Sequence, residues 1–520
     1  MKSIDADARA VDLDPTQAGF PSGFTLDRLG TTHFIGIGGA GMSVLAEMLL
    51  QRGVTVTGSD TASGPRTERL ASLGADVAIG QDARNVDGAS TVVYSSAVRP
   101  DNPEIRAAAK TGLRIVHRSD ILALLMSDRR SVTVAGTHGK TTTSSLIAHI
   151  LRFAGTGDLA DPGYAIGGTI QGPDGTTLDG GHAGSGAVLV AEADESDGSF
   201  AKYRPDIAVI TNAESDHLDH YGTVERYREA FVDYARHARG TIVICADDEG
   251  ALQVLRALGA DTAARAIAYS TRPAGEVGDL NGARLVSIES EEESAGSGRE
   301  RFTVRMPAGS VGEDPIEMRV ALRIAGIHNA RNAAAALVVA VVLGVDPEKG
   351  AQAAGTFLGA SRRFELRGTV KQVSVFDDYA HHPTEVAALL SAARRRFPNS
   401  TIRVLFQPHL FSRTRFFASA FARALSIADD VLVTGVYPAR ESQKDFPDVT
   451  ASTIVDAAAG IDHDPARWIE AVEDMHVAAQ MLAMRSHHGD VILTVGAGDV
   501  TRMGPVILHV LETHRASCEG

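Results

Sequence analysis

The sequence predicts an α/β protein of three domains, on three observations. An apolar run breaks into a glycine-rich turn and then a helical stretch at residues 31–52, and the same succession recurs at 131–153. In the last third, four apolar runs alternate with helical ones, and polar clusters follow three of them. Strand, turn and helix in alternation is the signature of largely parallel sheets covered by helices. The expected organisation is a flexible tail over 1–22, then domains over 23–128, 129–360 and 361–520. The outer two would be Rossmann-like and the central one a phosphate-loop domain.

The first domain rests on Thr31 to Met42, where a short strand opens into Gly36, Gly38, Gly39 and Gly41 before a helix. A second strand over Val54–Gly58 leads to Ser59-Asp60. Glycines followed by an acidic residue about 20 positions on form the dinucleotide fingerprint, with Asp60 placed for a ribose. Alone it reads as an NAD-dependent dehydrogenase, yet the loop recognises a diphosphate and not a nicotinamide. Ser96 and His117 fall just past two later strands, where open sheets place ligand contacts.

The second domain opens on the strand Ser131–Ala135, followed by Gly136, Thr137, His138, Gly139, Lys140, Thr141 and Thr142, with a helix expected from Ser144. Glycines let backbone N–H groups approach phosphates; the lysine can reach the β/γ-phosphates and the threonine hydroxyl can ligate Mg²⁺. Val134 stands where the general phosphate-loop pattern wants glycine. Downstream, Glu192 and His217 lie nearest their strand ends and are the candidate metal ligands, although Mg²⁺ prefers oxygen to imidazole. Asp194, Glu195 and Asp197 are expected only to cap or solvate a loop. Asn329 and Asn332 stand three apart at the start of an alanine-rich core helix, where their amides could read an adenine edge or serve as a cap and a solvated side chain.

The third domain starts at Ser361 with Arg362 and Arg363 and carries Asp378, Tyr379 and His381, then His409 and Arg413, then a Gly-Ala-Gly turn, each cluster at a strand end. Such clustering suits a working cleft.

The totals narrow the function. The chain has 520 residues, 44% hydrophobic and 22% charged, and a formal charge of −15, which argues against general nucleic-acid binding. Cys245 and Cys518 offer neither a disulfide framework nor a thiolate metal site. With no apolar run near the ~20 residues of a membrane span, a cytoplasmic location without membrane insertion is expected.

Together, GIGGAGMS, GSD, GTHGKTTT, EADESD, TN-x₃-DHLD, HNxxN, RRFE, DDYAHHPTEV, QPH and SRTR resemble the Mur ligases over about residues 33–498. Within that family the closer likeness is to the branch that adds L-alanine to UDP-N-acetylmuramate in peptidoglycan synthesis. The resemblance implies domains for the UDP-sugar, ATP and the amino acid, in that order, with ATP and Mg²⁺ required. It assigns Gly36, Gly38, Gly39, Gly41 and Asp60 to UDP, and Gly136 to Thr142 to the ATP phosphates. Thr141, Glu192 and His217 fall to Mg²⁺; Asn329 and Asn332 to the adenine side; Arg363 and Asp378 to ATP. Tyr379, His381, His409 and Arg413 fall to the acyl and amino-acid side, and Lys140, His217, Arg363 and His381 are the expected catalytic set. Two departures stand out: Leu410 replaces an arginine of many relatives, and Phe231 lies near where sister ligases carry a carbamylated lysine. The oligomeric state is left between monomer and homodimer.

Overall fold

The computed structural model describes residues 13–172, 177–291 and 299–513. Residues 1–12 of the expected tail, Cys518, and positions 292–298 lie outside them. Among the described residues, no helix is long and apolar enough to cross a membrane.

The first sheet is parallel, in the order β3-β2-β1-β4-β5. Its strands are β1 (Thr32–Ile35), β2 (Val56–Asp60), β3 (Asp76–Ile79), β4 (Thr91–Tyr94) and β5 (Arg114–His117). Strand order reverses between β1 and β4, so the crevice at their carboxyl ends is where this topology admits a ligand. β2 runs two residues later than expected, which makes Asp60 its last residue.

The second sheet has the order β10-β7-β11-β6-β12-β13-β14-β15-β16-β17. Its centre is β6 (Arg130–Ala135), flanked in parallel by β11 (Val188–Glu192) and β12 (Ile207–Ile210). On one side lie β7 (Gly163–Ala165) and β10 (Gly181–His182), beside a small ribbon of β8 (Ile170–Gln171) and β9 (Thr177–Leu178). On the other lie β13 (Thr241–Cys245), β14 (Ala266–Ser270), β15 (Arg284–Ser290), β16 (Glu300–Met306) and β17 (Ile316–Leu322). Register pairs Glu192 with Val134 and Ile210 with Ala135, so the segments after β11 and β12 arrive beside the loop after β6. In the helix Ile327–Leu343, residues 333–340 are fully buried, the all-round burial expected of an apolar core helix.

The third sheet has the order β18-β19-β23-β20-β21-β22, parallel except at β18. Its strands are β18 (Glu365–Val370), β19 (Val373–Asp378), β20 (Ile402–Phe406), β21 (Asp430–Val433), β22 (Ile469–Ala471) and β23 (Val491–Val495). Alternation along β20 puts Val404 and Phe406 in one apolar core and Leu405 in another, so helices cover both faces.

The chain packs as two compact units. The first comprises residues 1–289, 303–320 and 331–355, and the second 290–302, 321–330 and 356–520. The expected boundary at 128–129 falls inside the first unit, where one apolar cluster joins residues from both sides of it, among them Phe34, Leu45, Leu189 and Phe231. Close backbone approach explains one joint within it: a Cβ on Gly181 would meet Val44 O at 2.8 Å and Val44 Cα at 3.2 Å. The described part of the expected tail is held down. Lys202 Nζ donates to Pro15 O (2.8 Å), Gln17 O (3.1 Å) and Asp120 Oδ1 (2.7 Å), while Phe20 stacks on Phe24 at 4.6 Å.

Candidate functional site

The first glycine loop turns at the end of β1. Gly36 has φ 75°, and its N–H and that of Ile37 donate to Ser59 O at 2.8 and 2.9 Å. Gly38 N–H donates to Asp60 Oδ2 at 2.8 Å, so one oxygen of the expected ribose ligand already braces the loop. Beside it lies an open cleft of about 790 Å³ lined by Gly36, Gly38, Gly39, Asp60, Ser95 and Asn102, among others. Gly41 sits in the first turn of the helix Ala40–Gln51. Ser96 and His117, expected in this cleft, are turned elsewhere: Ser96 Oγ lies 2.6 Å from Asp197 Oδ2 and 3.2 Å from His117 Nε2.

The second glycine loop follows β6. Gly136 has φ 143°, and a Cβ there would collide with Thr211 Oγ1, so no side chain fits. The helix begins at Lys140, not at Ser144, because Gly139 at φ 83° serves as its N-cap. Lys140 and Thr141 thus occupy the first turn, where helix N–H groups have no intrahelical partner and the dipole favours an anion. His138 is an exception within the loop: its N–H is committed to Asn212 Oδ1 at 2.9 Å, while Thr211 Oγ1 and Asn212 Nδ2 donate to His138 O. Thr137 Oγ1 donates to Glu214 O at 2.7 Å and lies 2.8 Å from Tyr227 Oη.

Lys140 Nζ donates to Gly136 O at 2.5 Å and to Glu195 Oε2 and Oε1 at 2.8 and 3.0 Å. Burial alone would lower its pKa, but Glu195 and Asp194 outweigh that and raise it, so the ammonium stays charged. Removing one partner of such a buried pair costs roughly 3–5 kcal/mol. His217, at φ 50°, brings Nε2 to 3.7 Å from Glu195 Oε1.

The Glu192–Gly198 segment corrects the sequence reading. Asp194, Glu195 and Asp197 do more than cap or solvate a loop, for Glu195 is 1% and Asp197 5% exposed. Arg118 Nη2 lies 2.8 Å from Asp194 Oδ2 and 3.5 Å from Asp197 Oδ2. Burial works to raise both carboxyls, yet Arg118 and further partners hold them below the usual range. His117 is driven well down by burial and is neutral at pH 7. Asp194 and Asp197 therefore face Arg118, and Glu195 faces Lys140. Sequence reasoning missed this because Arg118 is 76 residues from its partner; six residues with four acids after a buried strand were the available signal.

Glu192 Oε1 accepts from Gly167 N at 3.0 Å, and a Cβ on the adjacent Gly168 would meet Thr141 Cγ2 at 3.4 Å, so the two residues expected to offer oxygen to Mg²⁺ border one glycine pair. Phe231 supplies no further ligand: it is fully buried against Phe200 and Tyr227, with ring centroids 5.0 and 5.1 Å away. Asn332 is buried over the phosphate loop, its Oδ1 2.7 Å from where Gly139 would carry a Cβ.

In the second unit, Asn329 Nδ2 donates to Ala325 O at 2.8 Å. Asp378 accepts from the N–H groups of Phe364 (2.7 Å) and Ala380 (2.8 Å), and burial pushes its carboxyl up to about 6 against the pull of Arg363. Arg362, and not Arg363, binds the buried Asp377 (2.9 Å), leaving the Arg363 guanidinium 5.4 Å over the Tyr379 ring. His381 lies 5.3 Å from Tyr379 and 5.8 Å from His409, ring to ring, and Arg413 Nη1 is 3.4 Å from His409 Nδ1. Burial, with His381 and Arg413 nearby, lowers His409 to about 4. These four side chains and Arg363 form one contiguous polar cluster, with Arg413 buried at one end. Leu410, at φ 68°, opens the helix Phe411–Leu425 and is buried, so it offers no charge where an arginine would.

Family models match three successive stretches. They are the Mur ligase family catalytic domain over residues 31–130, the Mur ligase middle domain over 134–340, and the Mur ligase glutamate ligase domain over 362–498. The UDP-N-acetylmuramate–L-alanine ligase of Bifidobacterium adolescentis is 65% identical across 100% of both chains. Its counterpart from Renibacterium salmoninarum is 47% identical over 94% of this chain and 97% of its own. Among solved structures, the UDP-N-acetylmuramate-alanine ligase MurC of Thermotoga maritima aligns with a TM-score of 0.70 at 29% identity, over 92% of this chain and 98% of that one.

Proposed function

The chain belongs to the Mur ligase family, and from that premise we propose how its residues carry out the family's chemistry. The enzyme joins L-alanine to the carboxylate of UDP-N-acetylmuramate, a step of peptidoglycan synthesis. ATP is the proposed driver, and ADP and phosphate the proposed by-products.

A carboxylate does not accept an amine directly, because its carbonyl is resonance-stabilised and the leaving group would be oxide. Transfer of the terminal phosphoryl group of ATP onto a carboxylate oxygen gives an acyl phosphate and ADP. The alanine amine then attacks the acyl carbon, the C–O bond to phosphate breaks, and the amine proton leaves to a base. The observation that carries this reading is the position of Lys140, at the head of a helix beside Glu195 and His217. In the proposal Lys140 exchanges Glu195 for the β/γ-phosphates and neutralises charge on the transferring group. Thr141, Glu192 and His217 would hold Mg²⁺, which supplies Lewis-acid stabilisation of the phosphoryl oxygens when bound. Gly36–Gly41 and Asp60 would hold the UDP moiety. Asn329, Asn332, Arg363 and Asp378 would serve ATP, and Tyr379, His381, His409 and Arg413 the acyl group and the amine. His381 and His382 are the candidate bases by type; His382 caps the helix Pro383–Arg396, while His381 Nδ1 lies 3.3 Å from Glu385 Oε2. Cytoplasm is the proposed location, where ATP and sugar nucleotides are made.

Purified protein with Mg²⁺, ATP and UDP-N-acetylmuramate should release phosphate only when an amino acid is added. L-alanine should be preferred, with glycine and L-serine used poorly, since one methyl is worth about 1–3 kcal/mol. Release that is indifferent to the amino acid would overturn the reading.

A further inference from the structure

Asp247, at the end of β13, is a buried carboxylate with an unusual share of partners. It accepts from Ser270 Oγ (2.5 Å), Thr271 Oγ1 (2.5 Å) and Thr271 N (3.0 Å), and it pairs with Arg331 Nε at 2.5 Å and Arg272 Nε at 3.5 Å. Arg331 Nη2 also donates to Thr271 Oγ1 at 3.0 Å. The next residue is Asn332, whose side chain lies against Gly139 of the phosphate loop.

Consecutive residues on a helix point about 100° apart. An arginine tied to the ends of β13 and β14 therefore fixes both the height and the rotation at which its neighbour is presented. Asp247 is 3% exposed in its side chain and Arg331 36%, so the carboxylate is a rigid anchor and the arginine a strut reaching it. Burial holds residues 333–340, so the pair acts on the less buried first turn, where a small rotation would carry Asn332 away from Gly139.

We propose that Asp247 and Arg331 are positioning residues for the nucleoside triphosphate site, setting the rotation of the helix Ile327–Leu343 so that Asn332 closes against the phosphate loop. This rests on the reading of Gly136–Thr142 as that site and adds two residues to it. Neither touches the reacting atoms. Their loss weakens ATP binding and leaves the chemical step and the sugar nucleotide alone.

The test is a steady-state comparison of Arg331→Gln, Arg331→Lys, Asp247→Asn and the Arg331→Gln/Asp247→Asn double variant in the full-length enzyme. KM for ATP should rise about tenfold in Arg331→Gln and in Asp247→Asn, and the double variant should be no worse than the single ones, since both break one contact. Arg331→Lys, which keeps the charge, should recover most of the loss. The kcat and the KM for UDP-N-acetylmuramate should stay within about twofold. If Asp247→Asn fails to fold, the half-exposed Arg331 variants decide alone. An unchanged KM for ATP in Arg331→Gln, or a parallel rise in both substrates' KM, would overturn the proposal while leaving the wild-type reaction intact. Wild-type protein that makes no ADP would remove the underlying reading and the proposal with it.

Discussion

The two glycine loops of the first unit are alike in sequence and unlike in surroundings. Both follow a parallel strand at a reversal of strand order, and both open a helix, at Ala40 and at Lys140. Gly36–Gly41 borders an open cleft and is braced by Ser59 and Asp60 from the neighbouring strand. Gly136–Gly139 is cross-braced by Thr211, Asn212 and Tyr227 and is crowded by Lys140, Glu195 and His217. Glycine spacing lets a backbone approach a phosphate in either place. The second loop also carries a cation, Lys140, and the Glu195 and His217 beside it follow strands far away in sequence.

Each prediction strains that contrast. Lys140→Ala should lower phosphate release on the order of 10³-fold or more while calorimetric binding of UDP-N-acetylmuramate stays near normal. Arg118→Leu removes the cation shared by Asp194 and Asp197 and strands two carboxylates. It should lower thermal stability and raise the KM of both nucleotides, because the segment serves both loops. Asp60→Ala should raise the KM for UDP-N-acetylmuramate about tenfold, ~1.4 kcal/mol, with the KM for ATP unchanged; a matching loss for ATP would erase the distinction between the loops.

The smallest expected effect is on pH dependence. His117 is depressed by burial, so the unfolded chain takes up its proton first as pH falls below about 6.5. The stability contributed by the neutral imidazole is present above that pH and is lost on acidification. His117→Asn should flatten the stability profile below about 6.5, measured by denaturant titration at stepped pH.

The sequence made the loops legible because turn chemistry is local: glycines at a strand end, then a helix. It was also enough to place Glu192 at the end of β11, whereas His217 stands seven residues beyond β12, at the N-cap of the helix Leu218–Tyr221. What it hid was non-local. Nothing near EADESD announces that Asp194 and Asp197 answer Arg118, or that Glu195 holds Lys140. Ser96 and His117 were expected at the sugar nucleotide and instead face Asp197, a partner 101 residues from Ser96. Arg362 and Arg363 show the same limit in miniature, since only the fold decides which of the two takes the buried Asp377.

The most direct test tracks oxygen. UDP-N-acetylmuramate carrying ¹⁸O in its lactyl carboxylate is turned over with ATP, Mg²⁺ and L-alanine, and the released phosphate is analysed by mass spectrometry. Transfer of the terminal phosphoryl group to the carboxylate predicts one ¹⁸O atom in each phosphate from a doubly labelled substrate. Phosphate free of label, with amide still being formed, would contradict it.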